Sequence, residues 1–174
     1  MTSDLGFICA RCGAHHPELP MNYTADAPAV WRAEFADSEG CLLSSDQCVI
    51  HARHHFVKGV IEIPVIGSDT VFSWGVWVSL SPENFSRAAD LWQTPGREAE
   101  NPYFGWLTTE LRLYPGTTLN LKTHVHTRPV GERPFVELER TDHPLAVEQR
   151  TGITMDRVRE IAAALLHPTG EGRR

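Results

Sequence analysis

The sequence predicts an α+β domain with a metal-binding knuckle near its N-terminus. Three observations favour this fold class: stretches of alternating apolar and polar residues, helix-start signals ahead of apolar residues at helical spacing, and a Cys-x-x-Cys motif. Hydrophobic residues make up 41% of the 174 residues and charged residues 22%, as in ordinary globular proteins. We expect one domain over residues 1–174, with a zinc-knuckle segment at 7–50, an α+β body at 51–168 and a disordered tail at 169–174.

Two pairs of alternating segments predict antiparallel β-hairpins that form a sheet. Residues 57–65 and 72–80 place apolar side chains on one face, and a Gly-Ser-Asp turn separates them. Residues 117–127 and 134–140 repeat the arrangement across a turn that contains Pro and Gly. The body is therefore expected to contain two hairpins.

Two or three helices are expected to pack on this sheet. Residues 81–83, Ser-Pro-Glu, are typical of a helix start, because Ser caps free N–H groups and Pro fits the first turn. Residues 102–111 carry apolar residues at helical spacing and predict a shorter helix. Thr154 is a plausible N-cap for a C-terminal helix, whose apolar stripe includes Val158 and Ile161.

The Cys-x-x-Cys motif at residues 9–12, followed by Gly13, indicates a zinc knuckle. A tight turn points both sulfurs the same way, and zinc then needs two more ligands to complete a tetrahedron. The spacing of the remaining cysteines is six residues, which is not that of a second knuckle. The predicted ligand set is Cys9, Cys12, Cys41 and Cys48, with His16 as a rival ligand and His15 as a weaker one.

Two other interpretations of these cysteines stay open. Cys41 and Cys48 fit equally well as small buried apolar residues beside an unmetallated turn. A redox Cys-x-x-Cys would have to open a helix, and the Gly-Ala-His-His-Pro run after Cys12 does not resemble one. A closed zinc site would be structural, because chemistry at the metal needs an open coordination position.

A second group of polar residues lies on the predicted strand at 117–127. His124 and His126 share one face, and the simplest register places His124 opposite Glu137 and His126 opposite Phe135. The first interpretation is a solvated face with cross-strand charge pairs. The second is a metal or acid–base site formed by His124, His126 and Glu137 or Glu132, which would make the protein a small metal-dependent enzyme.

His143 is a further candidate for a catalytic role. Asp142 precedes it and could orient the imidazole, but the same residues before Pro144 are also typical of a turn. No Ser or Cys nucleophile stands beside it in the sequence. His143 therefore joins His124, His126 and Glu137 as a weak candidate.

Composition limits the partners. The formal net charge of −6 argues against general nucleic-acid binding, which needs clustered Lys and Arg. No apolar run approaches the roughly 18 residues of a membrane span, and no signal peptide is visible, so we expect a cytoplasmic protein with no membrane contact. The five Trp residues fit a core or a protein contact surface. The expected function is a zinc-stabilised interaction or regulatory module whose partner is another protein.

An ordered set of short motifs resembles a bacterial family known as domain of unknown function 2199. The motifs are Cys-Gly at 12–13 with His16 and Leu-Pro at 19–20, then Asp-Gln-Cys-Val-Ile at 46–50, the segments 59–64 and 72–80, Asp-His-Pro-Leu-Ala at 142–146, Glu-Gln-Arg at 148–150 and Gly-Ile-Thr at 152–154. The resemblance covers about residues 7–167 and implies no catalytic residues. It includes Cys9, Cys12, His16 and Cys48, whereas Cys41 lies outside these motifs.

Overall fold

The structure, a computed structural model, describes residues 6–167. The predicted disordered tail at 169–174 lies outside the described residues. Between residues 6 and 167 there are ten strands: β1 Phe7–Ile8, β2 His15–His16, β3 Asn22–Thr24, β4 Leu42–Leu43, β5 Gln47–Ile50, β6 His54–Pro64, β7 Val71–Leu80, β8 Tyr103–Leu107, β9 Lys122–His126 and β10 Phe135–Leu138. Three α-helices complete this part of the chain: α1 Pro82–Asp90, α2 Pro144–Thr151 and α3 Met155–Leu166.

The main sheet closes on itself like a barrel. Strands β6 to β10 pair with their sequence neighbours in antiparallel fashion, and β10 then pairs in parallel with β6. The full order is β3-β7-β8-β9-β10-β6-β5-β4, with the additional β7–β6 pairing that closes the ring. The α+β class is thus confirmed, but the predicted hairpins join into a barrel-like sheet.

One edge of β6 changes partner midway along the strand. Val57 pairs with Gln47 of β5, and Val60 pairs with Phe135 of β10. Gly59 lies at this fork, where a Cβ atom would stand 2.5 Å from Val136 Cγ2 and 3.0 Å from the Pro134 carbonyl oxygen. The missing side chain therefore lets β10 approach closely enough to close the barrel.

Strands β6 and β7 contribute apolar side chains to two clusters, one on each face of the sheet. The inward residues, among them Ile61, Ile63 and Phe72, are fully buried in the barrel core. On the opposite face Trp77 is fully buried with Cys48 and is covered by the segment around β4 and β5. Strands β3, β4 and β5, which lie within residues 22–50, thus belong to the main sheet, whereas the Cys-x-x-Cys motif lies in the short hairpin of β1 and β2.

Helices α1 and α3 begin where predicted. The Ser81 side chain accepts from Asn84 N–H, and the Thr154 side chain accepts from Arg157 N–H. The helix predicted at 102–111 is wrong, because Tyr103–Leu107 forms β8 with alternating burial. A short strand fits here because the edges of β7 and β9 both need hydrogen-bond partners.

Helix α2 was not predicted from the sequence. Pro144 occupies its first turn and the left-handed Gly152 (φ +80°) ends it, leading directly into α3. Between residues 6 and 167, no helix combines the length and the apolar character needed to cross a lipid bilayer.

We expect Thr154→Ala to lower the free energy of unfolding by about 1 kcal/mol, because the first turn of α3 loses its capping acceptor. Thr154→Ser keeps the hydroxyl and should retain most of that stability. Urea denaturation followed by circular dichroism measures both. Equal losses in the two variants would contradict the capping role.

Candidate metal centre

The Cys-x-x-Cys motif forms the tip of a small hairpin. Strands β1 and β2 pair with Phe7 opposite His16. In the turn between them, Cys9 N–H donates to the Ala14 carbonyl at 2.9 Å and Gly13 N–H donates to the Cys9 carbonyl at 2.8 Å. Gly13 adopts a left-handed backbone (φ +71°), as the residue after the second Cys was expected to do.

Four side chains meet at this tip, three from the hairpin and one from the far end of the described chain. The ligand atoms of Cys9, Cys12, His16 and His167 all lie within 4.8 Å of one another. His167 comes from the C-terminal end of α3, where its N–H donates to the Ala163 carbonyl. The hairpin and the last helix thus contribute to one group of potential ligands.

Packing holds the end of α3 against the hairpin. Phe7 and Cys9 form a small buried cluster with Ala162 and Ala163 of α3. The Arg11 guanidinium also donates a hydrogen bond to the His167 carbonyl oxygen. Because Ala162 and Ala163 are small, the helix can approach the hairpin closely at this point.

The donor atoms suit a metal ion. Cys12 Sγ lies 3.4 Å from His16 Nε2. Tetrahedral zinc with bonds of about 2.0–2.3 Å places its ligand atoms roughly 3.3–3.8 Å apart, so this distance needs little adjustment. His167 Nε2 is buried and has no hydrogen-bond partner among the described residues. A buried imidazole nitrogen without a partner is costly, and a metal bond would satisfy it.

The backbone around Cys9 favours its thiolate. Burial alone raises the pKa of the Cys9 thiol, but the backbone N–H groups of Cys12 and Arg11 donate towards the sulfur. Together with the Cys12 side chain and the Arg11 charge, they lower the pKa below its usual value. The thiolate is the form that binds metals.

Of the predicted zinc ligands, the structure brings together Cys9, Cys12 and His16 and leaves out Cys41 and Cys48. Cys48 lies on β5 within the cluster around Trp77, and Cys41 Sγ lies 3.7 Å from His51 Nδ1. His15 is not in the group either, since successive residues of a strand point to opposite faces.

Sequence reasoning did not identify His167 as a candidate ligand. It lies about 150 residues beyond the knuckle, and the sequence shows it only as a histidine at the end of an amphipathic helix. That position does not match any short spacing typical of zinc ligands. Only the packing of α3 on the hairpin reveals its place in the group.

The histidines of β9 lie where the predicted register places them. His126 pairs with Phe135 and His124 with Glu137 across the β9–β10 ladder. The nearest imidazole–carboxylate contacts run diagonally, with His124 Nε2 3.2 Å from Glu139 Oε1 and His126 Nε2 3.5 Å from Glu137 Oε1. Because each imidazole faces its own carboxylate, they form no group of three metal donors among the described residues.

The remaining candidates have structural contacts. His143 caps α2, because its Nδ1 accepts from Leu145 N–H at 3.1 Å. Glu132 accepts a hydrogen bond from Arg97 through its backbone carbonyl. Among the hydrogen bonds of the described residues, no nucleophilic side chain contacts the His143 imidazole. The Thr141 hydroxyl accepts only from the His143 backbone N–H.

Residues 8–153 match a family described as an uncharacterized protein conserved in bacteria, DUF2199. The chain belongs to this family. The matched region contains Cys9, Cys12 and His16 and ends before α3, so His167 lies beyond it. No curated protein and no solved structure matches the chain.

We expect Cys48 to resist alkylation in the native metal-free protein. Burial raises its pKa to about 11, and each pKa unit lowers the thiolate fraction about tenfold. Cys12 is exposed and should react with iodoacetamide at least about 100 times faster. Mass spectrometry of modified peptides measures both rates, with urea-unfolded protein as the control. Similar rates in native protein would contradict the burial of Cys48.

Proposed function

We propose that this DUF2199 protein is a zinc-stabilised interaction module. In this proposal, one Zn²⁺ ion bound by Cys9, Cys12, His16 and His167 fixes the N-terminal hairpin to α3, and the outer face of the barrel contacts a partner protein. The observation that carries the metal proposal is the convergence of two thiols and two imidazoles within 4.8 Å.

The donor set favours zinc in a structural role. Two Cys and two His residues are a common ligand set for structural zinc, and four protein ligands leave no coordination position for substrate. Carboxylate ligands, which magnesium and calcium require, are not part of the group. The metal would therefore contribute to folding rather than to chemistry.

The proposed ion would act as a cross-link between distant parts of the chain. It would connect residues 9–16 to residue 167, a span that includes the whole barrel. The hairpin of β1 and β2 has two residues in each strand and, within residues 6–167, pairs with no strand of the main sheet. Such a hairpin has little stability of its own, so a metal would fix its position.

The proposed contact surface is the outer face of β8 and β9. Phe104 and Trp106 retain 38% and 41% of their surface exposed, and their rings lie 5.2 Å apart. Lys122 stands over the Trp106 ring at 6.0 Å, and the His124 and Phe104 rings form a T-shaped pair. Adjacent exposed aromatic rings beside charged groups are typical of protein contact sites.

We expect the purified protein to contain one zinc per chain, and His167→Ala to weaken zinc binding by about 100-fold or more. Even the loss of a residue that only supports a ligand costs 10–100-fold, so the loss of a ligand should cost at least as much. Zinc competition with a chromophoric chelator measures the affinity, and the absorption bands of Co²⁺ report tetrahedral coordination. The matched control is His54→Ala, because His54 is exposed and lies outside the group.

Removal of zinc should lower the free energy of unfolding by about 4 kcal/mol when free zinc stands at 1,000 times its Kd. Zinc content well below one equivalent, or equal affinity in the His167→Ala and His54→Ala variants, would contradict the metal proposal.

The contact surface is tested with Phe104→Ser/Trp106→Ser. Because two central aromatic residues are removed, we expect capture of the partner to fall more than about tenfold. Quantitative mass spectrometry of proteins captured from a bacterial lysate measures it. The control, Ile66→Ser/Val71→Ser, removes two apolar residues that are 61% and 43% exposed on the β6–β7 hairpin. If every captured protein responds equally to both variants, the proposed surface is wrong.

A further inference from the structure

A cavity lies between barrel strands and the segment around the end of α1, and it shares no residue with the candidate metal centre. Its volume is about 290 Å³. The inner wall consists of largely apolar side chains from four barrel strands. Helix α1 supplies Ala88, and the residues just after it supply Leu91 and Trp92. The strand residues are Val57, Leu80, Tyr103 and Val125.

The cavity reaches the fork where β6 changes partner from β5 to β10. Asp46 stands just before β5 and Arg133 just before β10, and Arg133 Nε lies 2.8 Å from Asp46 Oδ1 across the gap. Lys58 lies on β6 between them and also lines the cavity. The wall therefore combines an apolar interior with a charged rim.

Lys58 is the unusual member of this rim. It is only 7% exposed, and its Nζ lies 5.8 Å from the centre of the Trp77 ring. Within residues 6–167, the Lys58 ammonium has no hydrogen bond and no ion pair. Burial, reinforced by the nearby Arg133 charge, lowers the pKa of Lys58, although Asp26 and Asp46 oppose the shift.

The neighbouring charged groups are already engaged. Asp46 uses one carboxylate oxygen for Arg133 and the other for the Ser45 hydroxyl at 2.8 Å. Arg128 forms a salt bridge with Glu62 at 2.6 Å. Arg97 donates four hydrogen bonds to backbone carbonyl oxygens. Lys58 is thus the rim cation that lacks an acceptor among the described residues.

We propose that this cavity binds a small apolar carboxylate, whose carboxylate group accepts from the Lys58 ammonium while its apolar body contacts the barrel interior. A ligand carboxylate would supply the acceptor that the described residues do not provide. The cavity volume of about 290 Å³ suits a small ligand. It is at the lower end of the range for small-molecule sites, which are largely apolar with a few placed polar groups.

The probe is octanoate, which has ten non-hydrogen atoms, and its uncharged comparison is octan-1-ol. Isothermal titration calorimetry on the full chain as purified should show saturable octanoate binding at one site, at least about tenfold tighter than octan-1-ol. In Lys58→Met, which keeps the length and apolar character of the stem, this preference should disappear. The sequence has one other lysine, the exposed Lys122, so Lys122→Met is the matched control and should bind octanoate like the original chain.

A second measurement needs no variant. Octanoate should slow acetylation of Lys58 by acetic anhydride about tenfold or more and leave the rate at Lys122 unchanged, as measured by peptide mass spectrometry. Three results would overturn the proposal: no saturable octanoate binding up to about 10 mM, equal affinity for octanoate and octan-1-ol, or undiminished octanoate affinity in a folded Lys58→Met variant.

Discussion

The parallel pairing of β10 with β6 determines the rest of the architecture. Phe135 can lie beside Val60 because Gly59 has no side chain to meet Val136 and Pro134. This pairing turns a meander of five strands into a closed ring and gives the apolar faces of β6 and β7 a common interior. The fork that it creates on β6 also defines the charged rim around Lys58.

Closure of the ring also organises the surfaces outside it. Strands β8 and β9 each turn one face outward, which exposes Phe104 and Trp106 of β8 beside the histidines of β9. The chain leaves β10 and forms α2 and α3, and α3 returns to the N-terminal hairpin. The meeting of Cys9 and His167 is therefore a consequence of the fold, not of any local sequence pattern.

The sequence predicted features with local causes more successfully than features with distant causes. Alternation identified β6 and β7, and capping residues identified the starts of α1 and α3. The helix prediction at residues 102–111 was wrong because their apolar spacing fits both a helix and a strand. The open edges of β7 and β9 favoured the strand. The β9–β10 register was correct because a one-residue slip would have buried charges.

The sequence by itself determined the α+β class, the membership of the DUF2199 family and half of the candidate metal centre, because Cys-x-x-Cys brings two thiols together through a single turn. Only the tertiary structure decided that His167 joins Cys9, Cys12 and His16 while Cys48 is buried beside Trp77. The physical reason is that the position of a ligand on a remote helix depends on how that helix packs. Its packing depends on contacts between residues that are neighbours only after the barrel has closed.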